Sequence, residues 1–203
     1  MARAVSLPRS LPHSWPRKLA ACALALCLGA GALLFGQGVY IHAKAGLAQV
    51  LLQKAWAETL ESGAPTKPWP WADTWPVARI SAPRLGNSTI VLSGGSGEAL
   101  AFGPGHLTGT PPPGPHGTTV FAAHRDTHFA FLQHLKTGDR LDVTGADGVR
   151  RSYRVSHTRI VDAAASGIDP AEGGGRLALV TCYPFGAVAQ GRQRYVVFAK
   201  QAL

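Results

Sequence analysis

The most apolar stretch of the chain covers residues 19–41, LAACALALCLGAGALLFGQGVYI, and carries no charged side chain. About 20 apolar residues in a helix cross the hydrocarbon core of a bilayer, so this stretch predicts a transmembrane helix. Four basic residues precede it in a tail that we assign to residues 1–18, whereas only Lys44 and Lys54 follow closely. The positive-inside rule therefore puts the amino terminus in the cytoplasm and everything after residue 41 outside it.

A cleaved signal peptide is the alternative for this segment, because Ala43-Lys44-Ala45 has the small-x-small pattern of a cleavage site. The apolar region of a signal peptide usually covers about 7–15 residues, which is shorter than the stretch found here. We therefore favour an uncleaved signal anchor.

Between residues 42 and 76 the pattern changes twice. Apolar residues recur at helical spacing over residues 42–62, and Gly63 and Pro65 end this predicted helix. Residues 66–76, TKPWPWADTWP, then form a proline-rich stretch that suits neither a regular helix nor a central strand. We interpret residues 42–76 as a linker arm, whose tryptophans either pack against the next domain, which we favour, or rest at the membrane surface. These tryptophans are Trp69, Trp71 and Trp75.

From residue 77 onward, short β-prone runs alternate with turns rich in Gly, Pro and Asn. Seven or eight strands at this spacing predict one all-β domain over residues 77–203, folded as a closed barrel or a sandwich. The run FAFLQHL, residues 129–135, predicts a turn or two of helix. The β-prone runs are residues 77–80, 88–92, 118–123, 139–143, 151–161, 176–182 and 194–200.

The formal net charge of +9 raises the question of a nucleic-acid partner. Four of the basic residues lie in the amino-terminal tail, where they set membrane topology, and the others are scattered. No run of Lys and Arg interleaved with aromatic residues follows the apolar segment, so we expect no nucleic-acid partner.

Of the three cysteines, Cys22 and Cys27 lie inside the apolar segment, where small hydrophobic packing is their expected role. Cys182 is the only thiol of the exported part, and an unpaired thiol in an oxidising compartment is a liability unless it is buried or used. It ends the run LALVTC just before Tyr183-Pro184. A strand end fixes the backbone while it leaves the side chain accessible, as a functional group needs. A single cysteine is nevertheless more often a buried structural thiol, and it is the histidine described next that favours a functional one.

A second β-prone run, TTVFAA, ends directly before His124 and places an imidazole at another strand end. A thiol with a pKa of about 8.5 needs a base or a cationic neighbour to become a nucleophile, and histidine can be either. Arg194 opens the last run, and a hairpin would bring its guanidinium to Cys182, where it could stabilise an oxyanion. Alone, such an arginine is more often a surface charge.

The eight histidines also invite a zinc site as an alternative. His124 and His128 lack the helical HExxH context, and no carboxylate or Cys-x-x-Cys pattern completes a set of ligands. We therefore expect neither a metal nor another cofactor.

These residues carry a family resemblance. Residues 103–142, the run LVTCYPF and the final RYVV resemble the sortase domain, and the likeness covers roughly residues 77–203. By that resemblance, His124 falls on the family's histidine, Cys182 on the thiol of its Thr-Leu-x-Thr-Cys strand, and Arg194 on the arginine that opens the final strand.

The resemblance is more specific in places. Cys-Tyr-Pro-Phe and His-Arg-Asp are most similar to the branch called class D or E, and the tryptophan-rich arm resembles a branch found in Gram-negative bacteria. Two positions depart from the family pattern. Ala178 stands in place of the first motif threonine, and Ala123 precedes the histidine where glycine is common.

The resemblance implies an eight-stranded sortase-type β-barrel with short helical insertions, preceded by one transmembrane helix. It implies a cysteine transpeptidase that cleaves a carboxyl-terminal sorting signal of the Leu-Pro-x-Thr-Gly kind on an exported protein. Cys182 would form a thioacyl enzyme, and an amine on the cell surface or on a second protein would take the acyl group. Thr181, Ala123 and Tyr183 would contribute to substrate binding.

The resemblance also suggests roles for two loops and a location. Residues 162–175 would cradle the signal, and residues 183–193 would help to choose the amine. The protein would be a single-pass protein of the cytoplasmic (inner) membrane, with its catalytic domain on the extracytoplasmic, periplasmic side.

Two rival functions are considered. Papain-like cell-wall peptidases place cysteine before histidine and L,D-transpeptidases carry a local His-Gly-Cys, whereas here His124 precedes Cys182 by 58 positions. A non-catalytic, membrane-anchored β-barrel that binds a partner is the other rival, and labelling of Cys182 by a thiol-reactive probe would distinguish it.

Overall fold

The computed structural model describes residues 14–189 and 191–202. Most of the predicted basic tail, residues 1–13, lies outside the described residues. The described chain divides into two compact units that meet between Gly46 and Leu47.

The first element is one long helix, α1, Ser14–Ser62, of 49 residues. Its residues 19–41 expose apolar side chains, and the helix is long and apolar enough to cross a membrane, since its most apolar 18 residues have a mean hydropathy of 2.2. The predicted membrane segment and the predicted helix over residues 42–62 are thus one continuous helix. It ends where Gly63 takes a positive φ of 69° and donates its N–H to the carbonyl of Thr59 at 3.0 Å, as glycine at a helix end commonly does.

The second unit begins with the last turns of α1. Leu52 and Trp56 are buried there against Ile90, Leu92 and Ala99. The tryptophan-rich stretch is only partly packed: Trp69 meets the ring of Phe102 edge-on with centroids 5.1 Å apart, Trp75 is half-buried, and Trp71 is 80% exposed.

The remainder of this unit is a closed barrel with the strand order β1-β2-β3-β4-β7-β8-β6-β5. β2 pairs with β3 and β4 pairs with β7 in parallel, and the other neighbours are antiparallel. The strands are β1 Pro76–Ala82, β2 Asn87–Ser93, β3 Gly105–His106, β4 Thr118–Ala122, β5 Arg140–Gly145, β6 Arg150–Asp162, β7 Arg176–Cys182 and β8 Gln193–Gln201. Helix α2, Gly97–Phe102, and two short 3-10 helices, Pro83–Leu85 and Ala130–His134, interrupt them.

The barrel confirms the predicted fold class, and each of the seven β-prone runs falls on a strand. Alternation decides which side chains fill it, because successive side chains of a strand point to opposite faces. In β7, Leu177 and Leu179 belong to the interior core with Phe121 and Tyr153, whereas Ala178 belongs to a second apolar cluster on the other face.

Candidate active site

Three adjacent strands, β4, β7 and β8, bring the predicted catalytic residues together. In the parallel β4–β7 pair, each residue of β4 lies opposite the residue 58 positions later in β7, and the last such pair is Ala122 and Val180. His124 and Cys182 are also 58 positions apart. His124 therefore follows β4 at the level where β7 ends. On the other side of β7, Cys182 is the direct antiparallel partner of Arg194. Cys182 therefore lies between the histidine segment and the arginine strand.

Cys182 is half-buried and is a free thiol. The next residue donates its N–H to the carbonyl oxygen of Gln193 at 3.0 Å, which extends the β7–β8 ladder past the cysteine. A thiol held in this way has a fixed backbone and an accessible side chain, which is what a nucleophile needs.

His124 lies two residues beyond the end of β4, and its side chain is exposed. Its carbonyl accepts the N–H of Phe129 at 3.1 Å, which turns the chain away from the strand. Within the part of the chain that the structure describes, no carboxylate pairs with this imidazole. The arrangement is thus a thiol, an imidazole and a guanidinium, without the acidic orienting group of a Ser-His-Asp triad.

A second histidine lies close to the first. Burial lowers the pKa of His128, the carbonyl of Ala101 opposes that shift, and electrostatic repulsion between the two imidazoles adds to it. The two histidines are thus near neighbours in the segment that follows β4.

Arg194 and Arg192 differ in their surroundings. Arg194 is half-buried inside β8, and its Nη1 donates to the carbonyl oxygens of Gly191 at 2.8 Å and Gln193 at 2.9 Å. No carboxylate among the described residues neutralises it. Arg192 lies outside the strand with its side chain 82% exposed, and its Nε is 3.4 Å from the carboxylate of Asp162. Of the two, Arg194 has the fixed backbone and the uncompensated charge.

The three predicted substrate-binding residues lie around the same strand ends. Thr181 is 2% exposed, and its hydroxyl donates to the carbonyl oxygen of Ala123 at 2.8 Å. This bond ties the segment before His124 to the segment before Cys182. Both side chains are buried, so contact of either residue with substrate stays a prediction and would involve the backbone. Tyr183 is half-buried, with its ring stacked on that of Tyr195 at a centroid distance of 6.3 Å.

The second apolar cluster lies on the face of these strands that points away from the interior core. Cys182 shares this face of β7 with Ala178 and Val180, since alternate side chains point the same way. Ile168 packs onto it from the β6–β7 loop, residues 163–175. The cluster consists of buried Val120, Val161, Ala178 and Val196 and partly buried Leu107, Ile168, Val180 and Phe198.

Two features of the site were not predicted. Arg125, directly after His124, is 5% exposed and bonds to the β7–β8 loop. The His-Arg-Asp triplet drew attention to this position, but no sequence pattern shows that an arginine will be buried. A cavity of about 560 Å³, lined by Val77, His106 and the prolines 111–113 among others, is the second feature. None of the predicted site residues lines it.

A closed barrel of this strand order is the fold of the cysteine transpeptidases of the sortase type, and the free thiol at the end of β7 is in keeping with that class. The chain belongs to the sortase family, because the family model for the sortase domain matches residues 80–202.

Three relatives show how far the likeness extends. Sortase D of Bacillus subtilis is 29% identical over 123 residues, which are 60% of this chain and 62% of that protein. The crystal structure of sortase C-1 from Actinomyces oris is 29% identical, with a TM-score of 0.58 over 63% of this chain and 73% of that one. The catalytic domain of B. anthracis SrtD is 30% identical, with a TM-score of 0.53 over 63% of this chain and 87% of that one.

These relatives support the sortase family, and two of them, sortase D of Bacillus subtilis and SrtD of B. anthracis, bear the name of the class D branch that the sequence resembles. They come from Gram-positive bacteria, so a place in a Gram-negative branch stays a prediction.

Proposed function

We propose that this protein is a membrane-anchored transpeptidase that uses Cys182, His124 and Arg194 to transfer a sorting-signal-bearing protein to an amine. The proposal is supported above all by the strand register: β4 and β7 pair in parallel as far as Ala122 and Val180, two positions before His124 and Cys182, and Cys182 pairs with Arg194. Sortases in general act on proteins with sorting signals and on amine acceptors.

In the first half-reaction, the Cys182 thiolate attacks a peptide carbonyl of the sorting signal. The electron pair of the carbonyl moves to its oxygen, and the Arg194 guanidinium stabilises that negative charge, because its remaining N–H groups meet no carboxylate among the described residues. The C–N bond then breaks, the leaving amine takes a proton from the His124 imidazolium, and a thioester to Cys182 remains.

In the second half-reaction, an amine attacks the thioester carbonyl and transfers its proton to the His124 imidazole. The C–S bond breaks, and the thiolate of Cys182 is restored with a new amide as product. Since His124 is exposed while Cys182 is half-buried, the acceptor amine would approach from the imidazole side.

The partly buried members of the second apolar cluster, beside Cys182, would hold the leucine and proline of an LPxTG-like signal. Burial of such side chains against Val180 and Ile168 would contribute roughly 25 cal/mol per Å² of apolar surface removed from water. Residues 162–175 would cradle the bound signal, and residues 183–193 would help to choose the amine. Tyr183, at the start of that second loop, would contact substrate through its half-buried ring.

The proposed domain organisation follows the sequence prediction: a basic tail at 1–18, an anchor at 19–41, an arm at 42–76 and a catalytic domain at 77–203. The anchor would hold the catalytic domain on the extracytoplasmic side of the cytoplasmic membrane.

Retention of the anchor is directly testable. We expect the full-length protein to remain with membranes after washing with high salt and with carbonate, because an apolar helix of this length is inserted and not adsorbed. Amino-terminal sequencing of the membrane fraction should recover the first 41 residues. A soluble mature protein that begins near Gly46 would show that the segment is a cleaved signal peptide.

Replacement of the two arginines distinguishes the oxyanion donor from its neighbour. Arg194→Ala should lower kcat on the order of 10²–10³-fold, about 2.7–4 kcal/mol, because a preorganised donor is lost. Arg194→Lys should recover little, since it replaces a planar fork by a point charge. Arg192→Ala is the matched control and should keep near-normal turnover, because its ion pair with Asp162 is solvent-exposed.

These rates would be measured beside alkylation of Cys182 in each variant, which reports whether the thiol is still presented. Near-normal turnover by Arg194→Ala, or a larger loss in Arg192→Ala with a reactive thiol, would refute the assignment.

A further inference from the structure

Arg125 is a buried cation next to the candidate catalytic histidine, and the reaction steps above give it no role. It is 5% exposed. Its Nη2 donates to the carbonyl oxygens of Ala187 and Ala189, the latter at 3.1 Å, and its Nε is 3.5 Å from the carboxylate of Asp126. Taking a guanidinium out of water is costly, so a buried arginine is retained only where what it holds repays that cost.

The two carbonyls belong to the loop that connects the cysteine to the arginine of the site. This loop, residues 183–192, leaves β7 after Cys182 and enters β8 just before Arg194. Packing does not hold its tip, because Val188, between the two bonded alanines, is fully exposed. A cavity of about 360 Å³ lies between the loop and the segment that follows His124. Phe185 and Gly186 of the loop line one side of it, and residues of the 125–133 segment line the other.

The same loop holds the other cation. The Arg194 guanidinium donates to the carbonyl oxygen of Gly191, two residues after the alanine that Arg125 binds. Both cations therefore donate to carbonyl oxygens of the same loop, Arg125 to those of Ala187 and Ala189 and Arg194 to that of Gly191. Arg194 is also the direct antiparallel partner of Cys182.

We propose that Arg125 is a positioning residue, which fixes the 183–192 loop against the histidine segment and thereby holds the Arg194 guanidinium in place beside Cys182. This inference rests on the proposed function. It does not require Arg125 to touch substrate. It predicts that loss of Arg125 weakens stabilisation of the transition state and leaves binding of the sorting signal largely unchanged.

Methionine is the informative replacement, because it keeps an unbranched chain and removes the buried charge. Among the described residues, the Nε and Nη1 of Arg125 have no hydrogen-bond partner, so the fold gains little from this cation and should tolerate its loss. Arg125→Met should keep its thermal transition and lose about 10-fold to 100-fold in kcat with KM little changed, as expected for a misplaced transition-state donor. The kcat of Arg125→Lys should lie between those of the wild type and Arg125→Met.

The loop itself supplies a readout that does not depend on catalysis. Arg192 is an exposed trypsin site within it. In the native full-length protein, cleavage at Arg192 should be faster in Arg125→Met than in wild type, because the middle of the loop is released.

Arg151→Met is the matched control. Arg151 is also largely buried, and it donates to the carbonyl of Val149 and to the Asp147 carboxylate in the β5–β6 hairpin, outside this loop. Arg151→Met should leave both kcat and the rate of cleavage at Arg192 unchanged.

A folded Arg125→Met with wild-type kcat, or with an unchanged cleavage rate at Arg192, would overturn the proposal. If Arg125→Met does not fold, Arg125→Lys decides: a lowered kcat with faster cleavage supports the proposal, and wild-type values of both overturn it. If the wild-type protein transfers no peptide, the proposed function fails, whereas the trypsin comparison still shows whether Arg125 holds the loop.

Discussion

Cys182→Ala is expected to abolish peptide cleavage and transfer while the protein keeps its fold. The thiol is half-buried at a strand end, so its removal leaves at most a small cavity and should cost about 1 kcal/mol of stability or less. Without the sulfur no thioester can form, so both half-reactions stop. The measurement is product formation from a sorting-signal peptide and an amine, beside the thermal unfolding of both proteins.

Cys27→Ala is the matched control for this substitution, because it removes a thiol from the apolar segment of α1. It should leave turnover unchanged. Substantial product from a folded Cys182→Ala protein would remove Cys182 from the mechanism and with it the proposed enzyme class.

His124→Ala is expected to lower the rates of both acylation and transfer by about 10²–10⁴-fold, the usual contribution of a general acid–base group. The loss should appear in kcat, since the imidazole moves protons in both half-reactions. Single-turnover measurements of thioester formation, followed by addition of the amine, would separate the two rates.

His128→Ala tests the choice of histidine. His128 lies four positions after His124 and is half-buried, and burial lowers its pKa. We expect His128→Ala to lower the rates far less than His124→Ala does. If His128→Ala instead caused the large loss and His124→Ala did not, the general acid–base group would be His128.

Local sequence patterns were sufficient for seven of the eight strands. The runs before His124 and Cys182 are dense in β-branched and apolar residues, and the following turn residues mark where each strand stops. The 3-10 helix Ala130–His134 confirms the predicted turn of helix at residues 129–135.

Other elements leave no pattern that a single sequence can show. Strand β3 has only two residues, Gly105–His106, which is too short for alternation to register. Helix α2 was missed because it has six residues, although Ser96 caps it by accepting the N–H of Ala99 at 3.1 Å.

The remaining features that the sequence did not predict depend on pairing between residues far apart in the chain. The parallel register of β4 and β7 depends on how the chain crosses the barrel between them, and local periodicity does not encode that path. The burial of Arg125 is of the same kind, because its partners Ala187 and Ala189 lie more than 60 positions away.

Trapping the thioacyl enzyme tests the central proposal most directly. Full-length protein would be mixed with a set of LPxTG-like peptides, varied at each position of the motif, and examined by intact-mass and peptide-fragment mass spectrometry. We expect an added acyl mass on Cys182 that disappears when an amine is supplied, with the amide product appearing in its place, and no adduct on Cys182→Ala. Absence of an adduct with every peptide of the set, or an adduct on a residue other than Cys182, would contradict the proposed mechanism.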